Sequence, residues 1–372
     1  MIRIDEIYNN TFWPWFSLNR PGTRVFFCDP PGRTDPNALF NLGSDDIAEN
    51  DFIYFHDQEP VHLSIFEPLF DEVKTRNLDL QYPKADEYKF SGITGHVVVS
   101  ERGEYVDALC KRYGWTPHYY FYHGWACADW FRGYDRTFLI PRAQLRMPTK
   151  TFMSPNRIVG GQRDHRVLFL YNVFKNQLEQ NHISAPRVCP AEGVDITSIA
   201  QKYTNVYRDI PQVLDQAKLP MTFDGEDTQE MTSCWLGNYA EAQDSLVYVP
   251  TETVYFGNRT HLTEKTFKAI ALEMPFVLVA PAGSLEYLKE YGFKTFSNIF
   301  NESYDTETDD IKRIEQVVSL LKELDNLSIK QRQEIHRACL PIVEHNYNHF
   351  YRGGFTDILW KELNIMLESM HV

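Results

Sequence analysis

The run HLTEKTFKAIALEMPFVLVAPAGS, from His261 to Ser284, restricts the fold more than any other stretch of the chain. Thr263 suits the N-cap of a helix in which Phe267, Ile270 and Ala271 recur at helical spacing. Pro275 ends that helix, PFVLVAP reads as a buried strand, and Pro281 to Ser284 turn the chain into another helix. Helix, buried strand and helix in succession are the parts of an α/β domain. Glu264, Lys265 and Lys268 stand at the start of the first helix, where the backbone N–H groups and the macrodipole favour an anion such as phosphate. An ordinary surface helix with a Glu264–Lys268 pair satisfies the same pattern.

The first half alternates strand and helix. TRVFFCD, DFIYFHDQEP, HVVVSE and HYYFYHG read as short strands, and Glu101 to Tyr113 as a helix closed by Gly114. The aromatic FWPWFSLNRPG near the N-terminus, with its prolines, suits an edge or a loop. Alternating strands and helices imply a parallel sheet, whose ligands gather at the carboxyl ends of the strands. Those ends carry Asp29, the run His56, Asp57, Gln58 and Glu59, then Ser100 and Glu101, then His123.

IPRAQLRMPTKT, residues 140–151, is basic, contains prolines and reads as a linker between domains. A strand, TFM, follows, then the loop SPNRIVGGQRDHR and a helix whose apolar face is Val167, Leu168, Tyr171, Phe174 and Leu178. The loop sets Ser154, Asn156, Arg157, Arg163, His165 and Arg166 ahead of that helix, a second place favourable to an anion. A solvated basic loop has the same composition. Residues 185–235 show weak periodicity, whereas Ser245 to Val249 is a clear strand that delivers Glu252 and Thr253 at its carboxyl end. LEYLKEYGFKTF gives a helix closed by Gly292, and Tyr304 to Asp310 reads as a solvated acidic face. Helices follow at Ile311–Leu324 and Ser328–Asn346, and TDILWKELNIMLESM is a terminal amphipathic helix.

A chain of 372 residues is long enough for two domains, each with its own core. The net charge of -14 argues against a general attraction to nucleic acid or anionic membrane. The apolar runs are too short to span a bilayer and the N-terminus lacks the layout of a signal peptide, so a soluble, cytoplasmic protein is expected. The six cysteines show no C-x-x-C spacing and read as small buried residues, not as a disulfide framework or a zinc site.

The SPNR…R…HR loop, the strand ending TETVYF and the HLTEKTFKAIALEMPFVLVAPAGS unit, taken in this order, resemble the donor-binding domain of GT-B glycosyltransferases over residues 150–350. The chain is most similar to a phage and bacterial group of glycosyltransferases. It is more distantly similar to the α-1,3-fucosyltransferases, whose acidic strand end also precedes a T-E-K helix. That second pattern is incomplete, so GDP-fucose is not carried over, and the first half matches only in layout. The resemblance implies an α/β fold of two Rossmann-like domains facing across a cleft. Residues 1–145 would bind the acceptor and 146–350 the nucleotide sugar, with a C-terminal helix at 351–372 able to cross back to the first domain.

The resemblance further implies an inverting, metal-independent transfer from a GDP- or UDP-sugar to a hydroxyl of a saccharide or small molecule, with no other cofactor. Glu264 would contact the ribose, Lys265 or Lys268 would neutralise the diphosphate, and Arg157, with Arg163 or Arg166, would clamp it. Glu252 would sit near the sugar, and Asn156 and Thr263 would complete the donor site. The general base would come from Glu59, Asp57 or His56, the carboxylates being favoured because burial in a cleft raises their pKa into a useful range. A His56–Asp57 hydrogen bond that only shapes the loop is the plain alternative. Trp125, Trp130, Phe131 and Tyr134 fit either an acceptor-sugar platform or core packing. Two other functions remain open: glycosylation of hydroxymethylated DNA bases, which the charge disfavours, and nucleotide binding without catalysis. A kinase is disfavoured by the absence of a G-x-x-x-x-G-K-[ST] loop.

Overall fold

The computed structural model describes residues 3–28, 39–40, 51–60, 95–135, 143–223 and 234–371; Asp29 and residues 140–142 lie outside that set. The chain divides into two compact units, Met1–Asp129 with Thr356–Val372, and Trp130–Phe355. Among the described residues no helix is long and apolar enough to cross a membrane.

The first unit is built on a parallel sheet of β1 (Arg24–Phe27), β2 (Leu39–Phe40), β3 (Phe52–His56), β4 (Gly95–Val99) and β5 (Thr116–Tyr119), in the spatial order β2-β1-β3-β4-β5. β3 and β4 are buried at every position, as a sheet covered on both faces requires. On one face Phe52, Tyr54, Val97 and Val99 pack with Val106, Leu109 and Cys110 of the Glu104–Tyr113 helix. On the other, Phe27 and Phe55 stack with centroids 4.7 Å apart and meet Tyr8, Phe12 and Phe16.

Those last three rings correct the sequence expectation for the N-terminus. The segment is helical over Ile4–Ile7 and Trp13–Asn19, joined by a π-helical turn at Tyr8–Phe12. Ile4, Tyr8, Phe12 and Phe16 lie four apart and all are buried, forming one apolar stripe. Pro14 closely follows the π-turn, and the widened turn is where the helix does without the Pro14 N–H. The backbone N–H of Ile4 donates to Asp129 Oδ2 at 3.0 Å. A second correction concerns HYYFYHG. β5 ends at Tyr119, and Tyr122–Trp130 is a helix, so His123 lies in a helical first turn and not at a strand end. Residues Tyr122 to Cys127 are all buried, and a helix apolar on every side has no amphipathic period to betray it.

The strand histidines form a one-way hydrogen-bond chain. Ser369 Oγ gives its proton to the Met366 carbonyl (2.6 Å), so His118 Nδ1–H must donate to Ser369 Oγ (3.0 Å). Neutral His118 then accepts at Nε2 from His96 Nδ1–H, 2.7 Å away. His96 Nε2 has no hydrogen-bond partner among the described residues. Burial pushes both imidazoles down to about 4, helped at His118 by His96 and at both by the Arg20 charge, while Asp51 acts in the opposite sense at His96. Both are therefore neutral when folded, and between pH 4 and 6.5 the unfolded chain binds more protons. Stability from this pair is complete above pH 6.5 and is lost as pH falls toward 4. Urea denaturation should show the first unit losing on the order of 2 kcal/mol per histidine between pH 7 and pH 5. His96→Asn with His118→Asn should flatten that slope, whereas an equally steep slope in the double variant would contradict the assignment.

The second unit carries β6 (Lys150–Ser154), β7 (His182–Ile183) and β8 (Ser245–Tyr248), parallel and in the order β7-β6-β8. The expected strand PFVLVAP, residues 275–281, does run parallel to β8, but as two separate bridges, Tyr248 with Phe276 and Thr251 with Val279. Its rungs are Tyr248 N to Pro275 O (2.8 Å), Val277 N to Tyr248 O (3.0 Å), Val279 N to Pro250 O (3.0 Å) and Glu252 N to Val279 O (2.9 Å). Pro250 has no N–H to give the rung between, which breaks the ladder. Both sheets thus place the second strand outside the first and the third beside it. The strand order reverses between β1 and β3 in the first sheet and between β6 and β8 in the second.

Two loops are less loose than their composition suggested. Within the presumed linker, Ala143 N donates to Glu273 Oε2 (2.7 Å), His336 Nε2 donates to Ala143 O (2.7 Å), and buried Arg146 donates to the Leu272 and Glu273 carbonyls. In the acidic loop Tyr304 and Asp305 are buried, and Asp305 Oδ1 accepts from Leu285 N (3.0 Å) at the start of the Ser284–Glu290 helix. Cys28 is exposed and Cys234 partly so, unlike the buried Cys110, Cys127, Cys189 and Cys339. The helix at Ile329–Tyr351 starts with a capping box in which Ser328 and Gln331 satisfy each other's backbone N–H groups. Trp125 and Phe131 are core residues, while Trp130 and Tyr134 are partly exposed.

Candidate functional site

The loops that follow β6 and β8 are sewn together at the reversal of the second sheet. Asn156 Nδ2 donates to Ser154 O and Oγ, both at 3.1 Å, its N–H donates to Ser184 Oγ (2.8 Å), and its Oδ1 accepts from Thr251 Oγ1 (2.8 Å). Ser154 Oγ donates to Val249 O at 2.9 Å. Asn156 is fully buried and acts as the knot that joins the ends of β6, β7 and β8.

Glu252 is also fully buried. Its Oε2 accepts from Thr263 Oγ1 (2.5 Å), Thr263 N (3.2 Å) and Thr253 N (3.3 Å), and its Oε1 from Thr266 Oγ1 (2.6 Å) and Thr266 N (3.3 Å). Thr263 occupies the N-cap position of the Glu264–Ala271 helix, but the capping acceptor is the carboxylate of a residue eleven positions earlier. A negative group at a helix N-terminus is favoured by the macrodipole. The anion drawn to this helix start is therefore the chain's own Glu252, where the sequence had suggested a phosphate.

His165 and Arg166 complete the junction. His165 Nε2 donates to Glu252 O at 3.0 Å, and its ring stacks on Tyr255 with centroids 5.0 Å apart. Burial, then the charge of Arg166, holds its pKa well below the ordinary histidine value, so the ring is neutral. Arg166 donates through Nη1 to Ile158 O (2.7 Å) and through Nη2 to Thr251 O (2.8 Å) and Glu252 O (3.2 Å). Burial and Arg163 lower its pKa to about 10, which still leaves it charged at neutral pH. Expected as a candidate clamp, Arg166 spends both Nη groups on main-chain carbonyls.

Arg157 projects elsewhere. It lines a cavity of about 370 Å³ together with Ser184, Pro186, Arg187, Val188 and Met221, at the carboxyl ends of β6 and β7. This volume lies in the range of small-ligand sites. Arg187 is paired with Asp195 (2.8 Å) and Asp215 (3.0 Å). On the helix, Lys265 Nζ is held by Glu264 Oε1 (2.8 Å), Thr253 Oγ1 (3.1 Å) and Thr263 Oγ1 (3.1 Å), while Lys268 and Arg163 are half-buried.

In the first unit the run His56–Glu59 leaves β3 beside the reversal of that sheet. His56 Nε2 donates to Pro60 O at 3.2 Å, and burial lowers its pKa. Asp57 is buried and accepts the hydroxyl of Tyr8. Burial, then the charge of Asp57, keeps the Tyr8 and Tyr120 hydroxyls protonated. His123 Nε2 donates to Gln58 O at 2.9 Å, and Glu59 is exposed.

Thr251, Thr266, Ser184 and Tyr255 belong to the second-unit assembly and were not singled out from the sequence. Thr266 carried no signal of its own in the sequence, since a threonine in a helix ordinarily bonds its own backbone carbonyls. Arg313 was also missed. Buried, it donates to the carbonyls of Ala280 (3.0 Å), Glu307 (2.8 Å) and Tyr255 (2.9 Å), and its guanidinium lies 4.4 Å from the Tyr255 ring centroid. Among the described residues no cluster of three or more His, Cys, Asp or Glu side chains is placed to hold a metal ion. No family model, no curated protein and no solved structure matches the chain.

Proposed function

We propose that the second unit binds a nucleoside diphosphate sugar and that the protein transfers the sugar, with inversion, to a hydroxyl of a saccharide or small-molecule acceptor. The observation that carries this reading is the Arg157 cavity at the carboxyl ends of a parallel sheet, walled by apolar side chains and two arginines, Arg157 and Arg187. A nucleoside with its phosphates asks for that combination of surfaces. In this reading Arg157, with Arg163 and Lys268, stabilises the charge of the departing diphosphate. Glu264, its carboxylate steadied by Lys265, receives the ribose hydroxyls. Asn156, Glu252, Thr263 and Arg166 are positioning residues that fix the loops and leave the ligand contacts to others. Glu59 takes the acceptor proton, since it is the exposed member of the three base candidates. The two units, each with an open-sheet strand order, suit the GT-B plan.

Nucleotide binding without transfer is the second reading, favoured by one observation: His56 and Asp57 are both buried and engaged. A thermal-shift panel of UDP, GDP, ADP, CDP and TDP, with and without magnesium, tests the shared part. One diphosphate should stabilise the wild type, by about 2.7 kcal/mol at a concentration one hundred times Kd. Arg157→Ala should weaken that diphosphate about tenfold or more and Glu264→Ala several-fold, because charge-assisted hydrogen bonds are lost. No shift with any diphosphate would remove the donor-site reading. Binding together with donor turnover that Glu59→Gln abolishes would select transfer over the second reading.

A further inference from the structure

The Arg157 cavity holds a second arginine whose hydrogen bonds are unevenly divided. Arg187 lines it, and two carboxylates grip one edge of its guanidinium: Nε donates to Asp195 Oδ2 (2.8 Å) and Nη2 to Asp215 Oδ1 (3.0 Å). Nη1 makes no hydrogen bond or ion pair among the described residues. The grip is itself fixed. Asp195 spends its other oxygen on Thr197 N (2.8 Å) and Thr197 Oγ1 (2.6 Å) at the start of the Ile196–Ala200 helix, and Arg187 O accepts from Ile196 N (2.9 Å). Around the arginine the wall is apolar, with Pro186, Val188, Pro190, Pro220 and Met221. Ala185 and Met221 exchange both backbone hydrogen bonds, at 2.7 and 2.9 Å, which ties the two segments of that wall together.

We propose that the cavity takes a guanine base whose O6–N7 edge is read by Arg187, so that the nucleotide bound is a guanosine diphosphate. The inference rests on the donor-site reading and names its base. With Nε and Nη2 each engaged through one hydrogen, the far end of the guanidinium keeps a two-pronged set of donors, Nη1–H and the second Nη2–H. Such a fork suits a phosphate or a pair of neighbouring acceptors on a base. Charge separates the two. Two carboxylates already surround one guanidinium, so a further anion there would meet net repulsion, whereas a neutral base would not. On the edge away from the ribose, guanine alone sets two acceptors side by side. Adenine pairs N7 with an N6–H₂ donor, cytosine presents an N4–H₂ donor, and uracil a single O4. The prolines and Met221 give the faces of the ring an apolar surface, and the fixed guanidinium loses little freedom on binding.

Isothermal titration of the full chain with GDP, inosine diphosphate, 7-deaza-GDP, ADP, CDP and UDP tests this. GDP and inosine diphosphate share O6 and N7, so they should bind about equally, and each roughly tenfold or more tighter than ADP, CDP and UDP. In 7-deaza-GDP a C–H replaces N7, and it should bind several-fold more weakly than GDP to the unaltered protein, where no variant can misfold. Arg187→Lys puts a single ammonium in place of the fork; it should lose about tenfold in GDP affinity and leave UDP affinity unchanged, whereas a merely structural defect would weaken every diphosphate alike. If ADP, CDP or UDP binds as tightly as GDP, if 7-deaza-GDP matches GDP, or if Arg187→Lys weakens all of them equally, the guanine assignment is overturned while the donor site stands. If no diphosphate binds, both fall together.

Discussion

Glu252→Ala should lower the unfolding free energy of the second unit by about 3 kcal/mol, because it strands two hydroxyls and three backbone N–H groups that share its carboxylate. At roughly 2–4 °C per kcal/mol for a unit of this size, Tm should drop by about 6–12 °C. Glu252→Gln keeps one acceptor oxygen and turns an amide N–H₂ toward donors, so roughly half of that loss is expected. Urea midpoints read both effects. The reason for so large a cost is topological: the carboxylate binds the end of β8 to the start of a helix whose N–H groups have few other acceptors. A change within about 0.5 kcal/mol, typical of a surface substitution, would mean that Glu252 is not the cap described.

Arg166→Met is the companion case, with an expected loss of about 3 kcal/mol as the carbonyls of Ile158, Thr251 and Glu252 lose their donor. Arg166→Lys should recover little, since one ammonium on a flexible stem cannot span three carbonyls as the planar fork does. This outcome separates two roles for the residue. A diphosphate clamp, once removed, would cost affinity and leave Tm alone, whereas a structural tie costs Tm first. The double variant with Glu252→Ala should fall short of the sum of the single losses, because both side chains hold the same turn after β8.

Much of the frame was legible from residue order alone. The strand and helix periodicities of TRVFFCD, DFIYFH, HVVVS, SLVYV and the HLTEK unit are local, and they survive folding because each element is buried on the faces its pattern predicts. The N-terminal stripe Ile4, Tyr8, Phe12, Phe16 was equally regular but was masked by tryptophan and proline between its members. Of the site, residue types were readable and their duties were not. Arg157 and Arg166 look alike in the sequence, and only the fold turns one into a cavity wall and the other into a buried carbonyl clamp. The same holds for Glu252, whose enclosure by donors comes from residues distant in the chain. His56 and Asp57 were chosen for their chemistry, but burial in β3 and beneath Tyr8 commits both to neighbours.

The central claim is that one ligand site lies in the second unit, beyond the ends of β6, β7 and β8. Hydrogen–deuterium exchange with and without the stabilising nucleoside diphosphate tests it most directly. The account predicts slowed exchange in residues 154–166, 184–190 and 251–266. Protection confined to other segments, or a bound diphosphate that leaves these three unchanged, would contradict it.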